Sequence, residues 1–411
     1  MRIHLYYHFF VTTFSLRKNG NICVFYYLCE KHAVMKNPFV TSGYAGAEYF
    51  CDRIQETDDL RSLLFNEHNI ALISPRRLGK TELISHVFDC NEFRESYYCF
   101  LVDVYATKSL SDFVNLLGKA VLDALKPKGK AVWEKFVRAL GTVRPEISFD
   151  INGMPSWSIG LGEIRNPVAT LDEIFSYLQS DDRPCIVAID EFQQITKYDD
   201  NTVEATIRTY VQRTTNAHFI FSGSQRHLMD GMFTSPSRPF YQSVTIMNLS
   251  PLPLHKYTDF AVEKFAENGK SIEPEVVAVL YDRFDAVTSY IHRTLNVLFS
   301  RTEKGGTCSV GMIEDAVDFI VRLSSDTYES LLYQMSVKQR DVFLAIASEK
   351  SAREVTGSRF IKKYGLVSPS SVSSAVKSLL DKDFITNDKG TYSVYDKFFL
   401  LWLSRQNLLV P

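Results

Sequence analysis

The sequence has no Cys-x-x-Cys pair, and its seven cysteines are scattered over 411 residues without a framework. That pattern favours free thiols in a reducing compartment over disulfides or structural zinc. His-Glu-x-x-His is absent as well, and the nine histidines do not cluster with cysteines. Each histidine therefore reads as an ordinary polar or packing residue rather than a metal ligand. There is no surplus of positive charge either: the formal net charge is -2. The chain has no overall electrostatic footprint for nucleic acid, so any basic patch must be local. What is present is apolar material, 45% of the residues, ample for a sizeable core. The length suggests about two to three domains.

Residues 1–34 differ in character from the rest of the chain. They are crowded with aromatics (Tyr6, Tyr7, Phe9, Phe10, Phe14, Phe25, Tyr26, Tyr27) and interrupted by Arg17, Lys18 and Asn19-Gly20-Asn21. The apolar pieces are too short to cross a bilayer. A signal peptide fits their hydrophobicity, but no clear small-residue cleavage site comes after them. The favoured reading is an atypical extension from a mis-assigned start, with translation beginning at Met35.

The chain is organised around residues 69–83. The apolar run Ile70 to Ile73 reads as a buried strand, and a helical pattern begins after Lys80 (Leu83, Ile84, Val87, Phe88). Between them stands Ser74-Pro75-Arg76-Arg77-Leu78-Gly79-Lys80-Thr81-Glu82. This is the spacing of a phosphate-binding loop, with serine in place of the first glycine. A strand-to-helix turn of this kind points several backbone N–H groups and the positive end of a helix into one hollow. Gly79 lets the backbone approach phosphate closely. Lys80 is expected on the β- and γ-phosphates, and Thr81 on Mg²⁺. If the turn requires a positive φ at position 74, serine there costs roughly 1 kcal/mol.

Upstream, Asn37-Pro38-Phe39 reads as extended, and residues 57–64 as a helix before the first strand. Phe50 and Arg53 are candidates to stack on or clamp a nucleotide base. Downstream, Tyr97–Val104 reads as a second strand, with a helix from about Ser111. Residues 126–166 form an insertion with a hairpin around Asn152-Gly153.

Cys185-Ile186-Val187-Ala188-Ile189 then leads into Asp190-Glu191. A strand buried on both faces does not end in two acids through packing preference. Asp190 is expected to hold the Mg²⁺ shell, and Glu191 to polarise a water for attack on the γ-phosphate. After a helix at Val203–Thr214, the strand His218–Phe221 ends in Ser222-Gly223-Ser224-Gln225-Arg226. Ser222 and Ser224 are candidates to sense the γ-phosphate, and Arg226 or Arg208 to stabilise charge. Ser243–Leu249 gives a fifth strand. Strands alternating with helices imply an α/β fold, a parallel sheet with helices on both faces, with its site at the carboxyl edge.

With these residues in place, the chain resembles prokaryotic P-loop ATPases of the AAA/STAND-like group, the archaeal-type ATPase family. The marks are Phe50-Cys51-Asp52-Arg53, residues 74–81, Ile189-Asp190-Glu191-Phe192, Phe221-Ser222-Gly223-Ser224 and Pro239-Phe240-Tyr241. The resemblance implies ATP and Mg²⁺ as ligands. It departs from the family at Ser74 and at Val287-Thr288-Ser289-Tyr290, where the family tends to carry a Gly-His-Pro-like turn.

Residues 35–253 are thus expected to form the ATPase domain, and 254–325 a helical lid, with Arg293 as a nucleotide sensor. Residues 326–411 resemble a winged helix: a helix at Ser336–Ala347, a short one at Ser358–Tyr364, one capped by Ser368-Pro369, then a hairpin across Asn387–Gly390. The third helix offers Ser370, Ser371, Ser373, Ser374 and Lys377, with Lys362, Lys363 and Lys389 nearby. Twelve Lys/Arg against nine Asp/Glu is a weak surplus for DNA. Duplex DNA and a protein partner both stay open.

The leading expectation is a cytoplasmic Mg-dependent ATPase that acts as a switch for a protein or DNA partner, with a nucleotide-dependent oligomer in view and no membrane contact. The alternative is a nucleotide-gated DNA-binding regulator with negligible hydrolysis. A small-molecule kinase is the weaker reading, because no acceptor site is visible.

Overall fold

The computed structural model describes residues 37–124, 166–180 and 183–409, together with short strands at 11–18, 21–28, 148–149 and 155–156. The expectation of a start at Met35 and the turn at Asn152-Gly153 lie outside the described residues. The flanking strands Ser148–Phe149 and Pro155–Ser156 pair antiparallel.

Five parallel strands form the central sheet: β1 (Ile70–Ile73), β2 (Tyr98–Asp103), β3 (Cys185–Asp190), β4 (Ala217–Gly223) and β5 (Thr245–Asn248). Their order is β2-β3-β4-β1-β5. Period-2 alternation sorts each strand's side chains onto two faces. Ile70 and Leu72 join Ile186, Ala188 and Ile220 on one face, beneath Leu60 and Leu64 of α1 (Ile54–Phe65) and Leu83, Ile84 and Val87 of α2 (Lys80–Asp89). Ala71 and Ile73 join Val187, Ile189, Phe219 and Phe221 on the other. That face is covered by α3 (Leu110–Ala124), α4 (Pro167–Ser180), α5 (Val203–Arg213) and α6 (Arg226–Thr234). The inner strands β1 and β3 are buried along their whole length and apolar up to the acidic end of β3, because both faces are covered.

The lid comprises α7 (Leu254–Glu267), α8 (Pro274–Arg283), α9 (Thr288–Arg301) and α10 (Ile313–Leu323), and α11 (Ser325–Tyr333) carries the chain onward. Then come α12 (Val337–Glu349), β6 (Ala352–Arg353), α13 (Ser358–Lys363), α14 (Pro369–Asp381), β7 (Ile385–Asp388), β8 (Thr391–Val394) and α15 (Lys397–Arg405). The strands of this module run antiparallel in the order β6-β8-β7. Local chemistry sets its helix ends. Ser336 and Gln339 form a reciprocal capping box on α12. The Ser368 side chain accepts from the Ser371 N–H, with Pro369 in the first turn of α14.

Lid and C-terminal module share one continuous core. The apolar C-terminal run packs back onto both: Phe398 meets Phe284 and Tyr290 of the lid at 5.2 and 5.4 Å between ring centroids. Phe399 stacks on Tyr328 at 4.7 Å. From the other end of the chain, Phe39 is fully buried among Phe260, Phe265 and Phe299.

The same core holds His292, whose Nδ1 is hydrogen-bonded to the Tyr257 hydroxyl. Burial lowers its pKa to about 4. A histidine whose folded pKa lies below its unfolded value of about 6.5 favours folding fully above that value. The stability it contributes drops as pH falls from about 6.5 towards 4, on the order of 2 kcal/mol after allowing for residual solvent. Urea midpoints at pH 7 and pH 4.5 measure this drop. A His292→Gln chain is expected to show a shallower one.

Candidate functional site

The loop after β1 begins where the Ser74 N–H donates to the Gly223 carbonyl of β4 (3.3 Å). The loop residues with positive φ are Arg77 (68°) and Gly79 (91°), and Ser74 is not among them. The serine that departs from the usual loop pattern therefore carries no left-handed strain. A Cβ built on Gly79 would meet nothing nearer than Glu82 Oε2 at 3.9 Å, so its backbone faces open space.

Lys80 opens α2 and is only 6% exposed. Its Nζ donates to the Ser74 carbonyl (3.3 Å), curling back over the loop. Burial lowers its pKa, while Glu191 and Asp190 pull the other way. The next residue meets the acidic strand end directly: the Thr81 hydroxyl donates to Asp190 Oδ2 (2.6 Å). Lys80, Thr81, Asp190 and Glu191 thus lie together at the carboxyl edge of the sheet. Asp103, the register partner of Asp190 on β2, adds a third carboxylate. Burial raises its pKa, with Asp190 and Glu191 adding to the rise against the Tyr105 N–H.

Glu191 has φ 55° and caps the short helical turn that succeeds β3. Its Oε2 accepts from Gln193 and from the Ser224 hydroxyl (2.6 Å). Ser222, the other sensor candidate, is fully buried within β4, and its hydroxyl has no hydrogen-bond partner among the described residues. Strand alternation explains the difference: Ser222 shares its face with Ile220, while Ser224 stands beyond the strand end. Arg226 is exposed at the start of α6, and Arg208 falls mid-way along α5. Neither meets Glu191. The cation that does is Arg76, at 3.7 Å.

Two candidate cations make defined protein contacts. Arg53 is 2% exposed, pairs with Glu56 (2.6 Å), donates to the Leu78 carbonyl (3.1 Å) and lines the same cavity as Phe50. It clamps the loop backbone. Arg293 turns from the loop towards Ser324 and the Phe398 ring. Phe50 stacks on His86 of α2 at 4.2 Å. The Tyr44 hydroxyl donates to Asp89 (3.2 Å), tying the arm to the same helix. Burial, with Asp89 beside it, raises the Tyr44 pKa to about 12.

Arm, loop and lid enclose a cavity of about 230 Å³, lined by Val40, Tyr44, Phe50, Gly79, Thr288 and His292 among others. The lid reaches the loop directly, since the Ser289 N–H donates to the Arg77 carbonyl (3.2 Å). Among the described residues no group of acids, histidines and cysteines forms a ready metal cage. No described helix is long and apolar enough to cross a membrane.

Close packing behind the site sets one expectation. A Cβ on Gly223 would overlap Met229 and Gln193, the residue that holds Glu191. Gly223→Ala is expected to cost about 1–3 kcal/mol by overpacking. Urea unfolding of that variant beside Gly231→Ala, where a Cβ meets open space, isolates the effect.

A parallel sheet of this order with helices on both faces, an acidic end on β3, a helical lid and a C-terminal winged helix is a fold also seen in a solved Walker-type ATPase. The resemblance to archaeal-type ATPases extends to three dimensions. Residues 326–405 match the family described as a probable winged helix domain. A Walker-type ATPase of Pyrococcus abyssi is similar over 89% of this chain and 99% of its own, at 17% identity and a TM-score of 0.59. The ORC2 protein of Aeropyrum pernix, solved with ADPNP and ADP, is similar over 90% of this chain and 97% of its own (12% identity, TM-score 0.55). The Aeropyrum pernix ORC1 protein in complex with DNA covers 87% of this chain and 93% of its own (13% identity, TM-score 0.51). No curated protein matches the chain in sequence.

Proposed function

We propose that this chain is a cytoplasmic ATPase that binds ATP with Mg²⁺ and uses its turnover as a switch for a partner. The observation that carries the reading is the direct hydrogen bond from Thr81 to Asp190, which brings loop and acidic strand end together beside Lys80. The donor set fits a triphosphate. Lys80 is a buried ammonium whose hydrogen bond here goes to a backbone carbonyl, so an arriving phosphate would find an underused cation. Open backbone at Gly79 and the free N–H groups of α2 complete an anion-binding hollow.

Thr81 and Asp190 would hold Mg²⁺, which when bound neutralises charge on the phosphates. Glu191 orients and deprotonates a water, and Ser224 fixes the Glu191 carboxylate. The cavity walled by Tyr44 and Phe50 suits the nucleoside, with the lid closing over it. Phosphate release by the purified chain, with Mg²⁺ and then with EDTA, tests the reading. No release under either condition, together with no ATP binding, would overturn it.

The partner surface we assign to the winged helix. Ser370, Ser373, Ser374 and Lys377 are exposed on α14, with Lys362 before it and Lys389 in the wing. Lys363 is paired with Glu349, which reduces the free charge. Duplex DNA is one candidate partner, supported by the similarity to a protein solved on DNA; a protein is the other. Salt-dependent binding of the full chain to duplex DNA separates them.

A further inference from the structure

Arg76 belongs to the phosphate loop, yet its side chain leaves the loop for the winged helix. Its Nε donates to Ser224 Oγ (2.9 Å). Nη2 lies 3.7 Å from Glu191 Oε2, and Nη1 pairs with Asp383 Oδ2 at 2.8 Å. The guanidinium also lies near the rings of Tyr105 and Tyr395, 5.2 and 5.6 Å from their centroids. Asp383 comes just after α14, and the Tyr105 hydroxyl steadies its carboxylate (3.2 Å). The neighbouring Arg77 reinforces the contact, pairing with Asp396 at 3.5 Å and lying 4.5 Å from the Tyr395 ring centroid. One cation therefore joins the loop, the end of β4, the acidic end of β3 and the winged helix.

Glu191 Oε2 accepts from Gln193 and Ser224 while facing Arg76. That oxygen is engaged, leaving Oε1 as the free acceptor. Arg76 stands at the Glu191–Ser224 end of the loop and is not among the residues lining the cavity at Tyr44 and Phe50. If the hollow takes ATP, as proposed for this site, this is where the terminal phosphate bears. Asp383 already supplies a negative charge to the guanidinium there, and its side chain is 20% exposed, so the pair can be exchanged.

We propose that Arg76 is a positioning residue with two alternative anions, Asp383 of the winged helix and the terminal phosphate of ATP. The docked winged helix and ATP compete for one guanidinium. Linkage is reciprocal: whatever weakens the Asp383 contact favours ATP, and ATP weakens the docking. ADP lacks the terminal phosphate and does not compete. When the pair exchanges, Arg76 also ceases to be held against Glu191 and Ser224 by Asp383, which links turnover to the winged helix.

The test measures MgATP and MgADP affinities of the full chain. Asp383→Asn is expected to tighten MgATP about three- to fivefold, the scale of losing one partly exposed competing ion pair, with MgADP nearly unchanged. Tyr105→Phe, which removes the hydroxyl that steadies Asp383 and also faces Arg76, shifts the same ratio less and serves if Asp383→Asn folds poorly. Arg76→Gln lowers the preference for MgATP over MgADP. Adding Asp383→Asn to Arg76→Gln changes nothing more, because Asp383 acts through Arg76. Equal shifts for both nucleotides, or additive single and double variants, overturn the proposal. If Lys80→Ala loses MgATP but Asp383→Asn leaves the ratio untouched, this proposal alone fails. If Lys80→Ala binds MgATP like the wild type, the ATP reading fails and takes the proposal with it.

Discussion

Lys80→Ala is expected to weaken ATP binding by at least about two orders of magnitude, the loss of a charge-assisted contact worth ~3 kcal/mol. The lysine is 6% exposed, and its hydrogen bond goes to the Ser74 carbonyl. Burial lowers its pKa, so the charged form is held at a cost in the nucleotide-free chain. An arriving phosphate repairs that cost. ATP should therefore raise the melting temperature of the wild-type chain and leave Lys80→Ala unmoved. The nucleotide-free variant should be no less stable than the wild type, since a buried cation has been removed. Titration calorimetry with MgATP decides: matching affinities in variant and wild type would refute the site.

Glu191→Gln is expected to behave in the opposite way. Binding should persist, because the substitution keeps shape and can still accept from Ser224 and Gln193. Turnover should fall about 10²- to 10⁴-fold, the usual contribution of a positioned general base. The variant would then accumulate bound ATP, visible in single-turnover measurements. Undiminished phosphate release from Glu191→Gln would assign the water to another group, with Asp103 next in line at the same edge.

Much of this site is legible in the chain because its signals are local. Ile70–Ile73 and Cys185–Asp190 are short apolar runs bounded by polar residues, the pattern of strands covered on both faces. Gly79-Lys80-Thr81 is legible because a helix start bound to phosphate restricts residue type at fixed offsets. Ser368-Pro369 announces α14 through capping chemistry alone. Less is legible where a side chain has several places to go. Arg53 and Arg293 are long, flexible cations, and only packing decides that one clamps Leu78 and the other reaches Ser324. The choice of Ser224 over Ser222 turns on β4 running on to Gly223, past the expected end at Phe221, which changes which hydroxyl leaves the sheet. The lid and winged helix read as separate modules, yet Phe398 and Tyr328 bind them into one core.

By itself, the sequence determined the strands, the loop between Ile73 and Lys80, the acidic pair and the winged-helix pattern, because each depends on neighbours a few residues apart. Only the tertiary structure decided that Arg76 meets Asp383, 307 positions further along the chain. No local periodicity encodes such a pair. It exists because two distinct cores bring opposite charges to the same edge of the sheet.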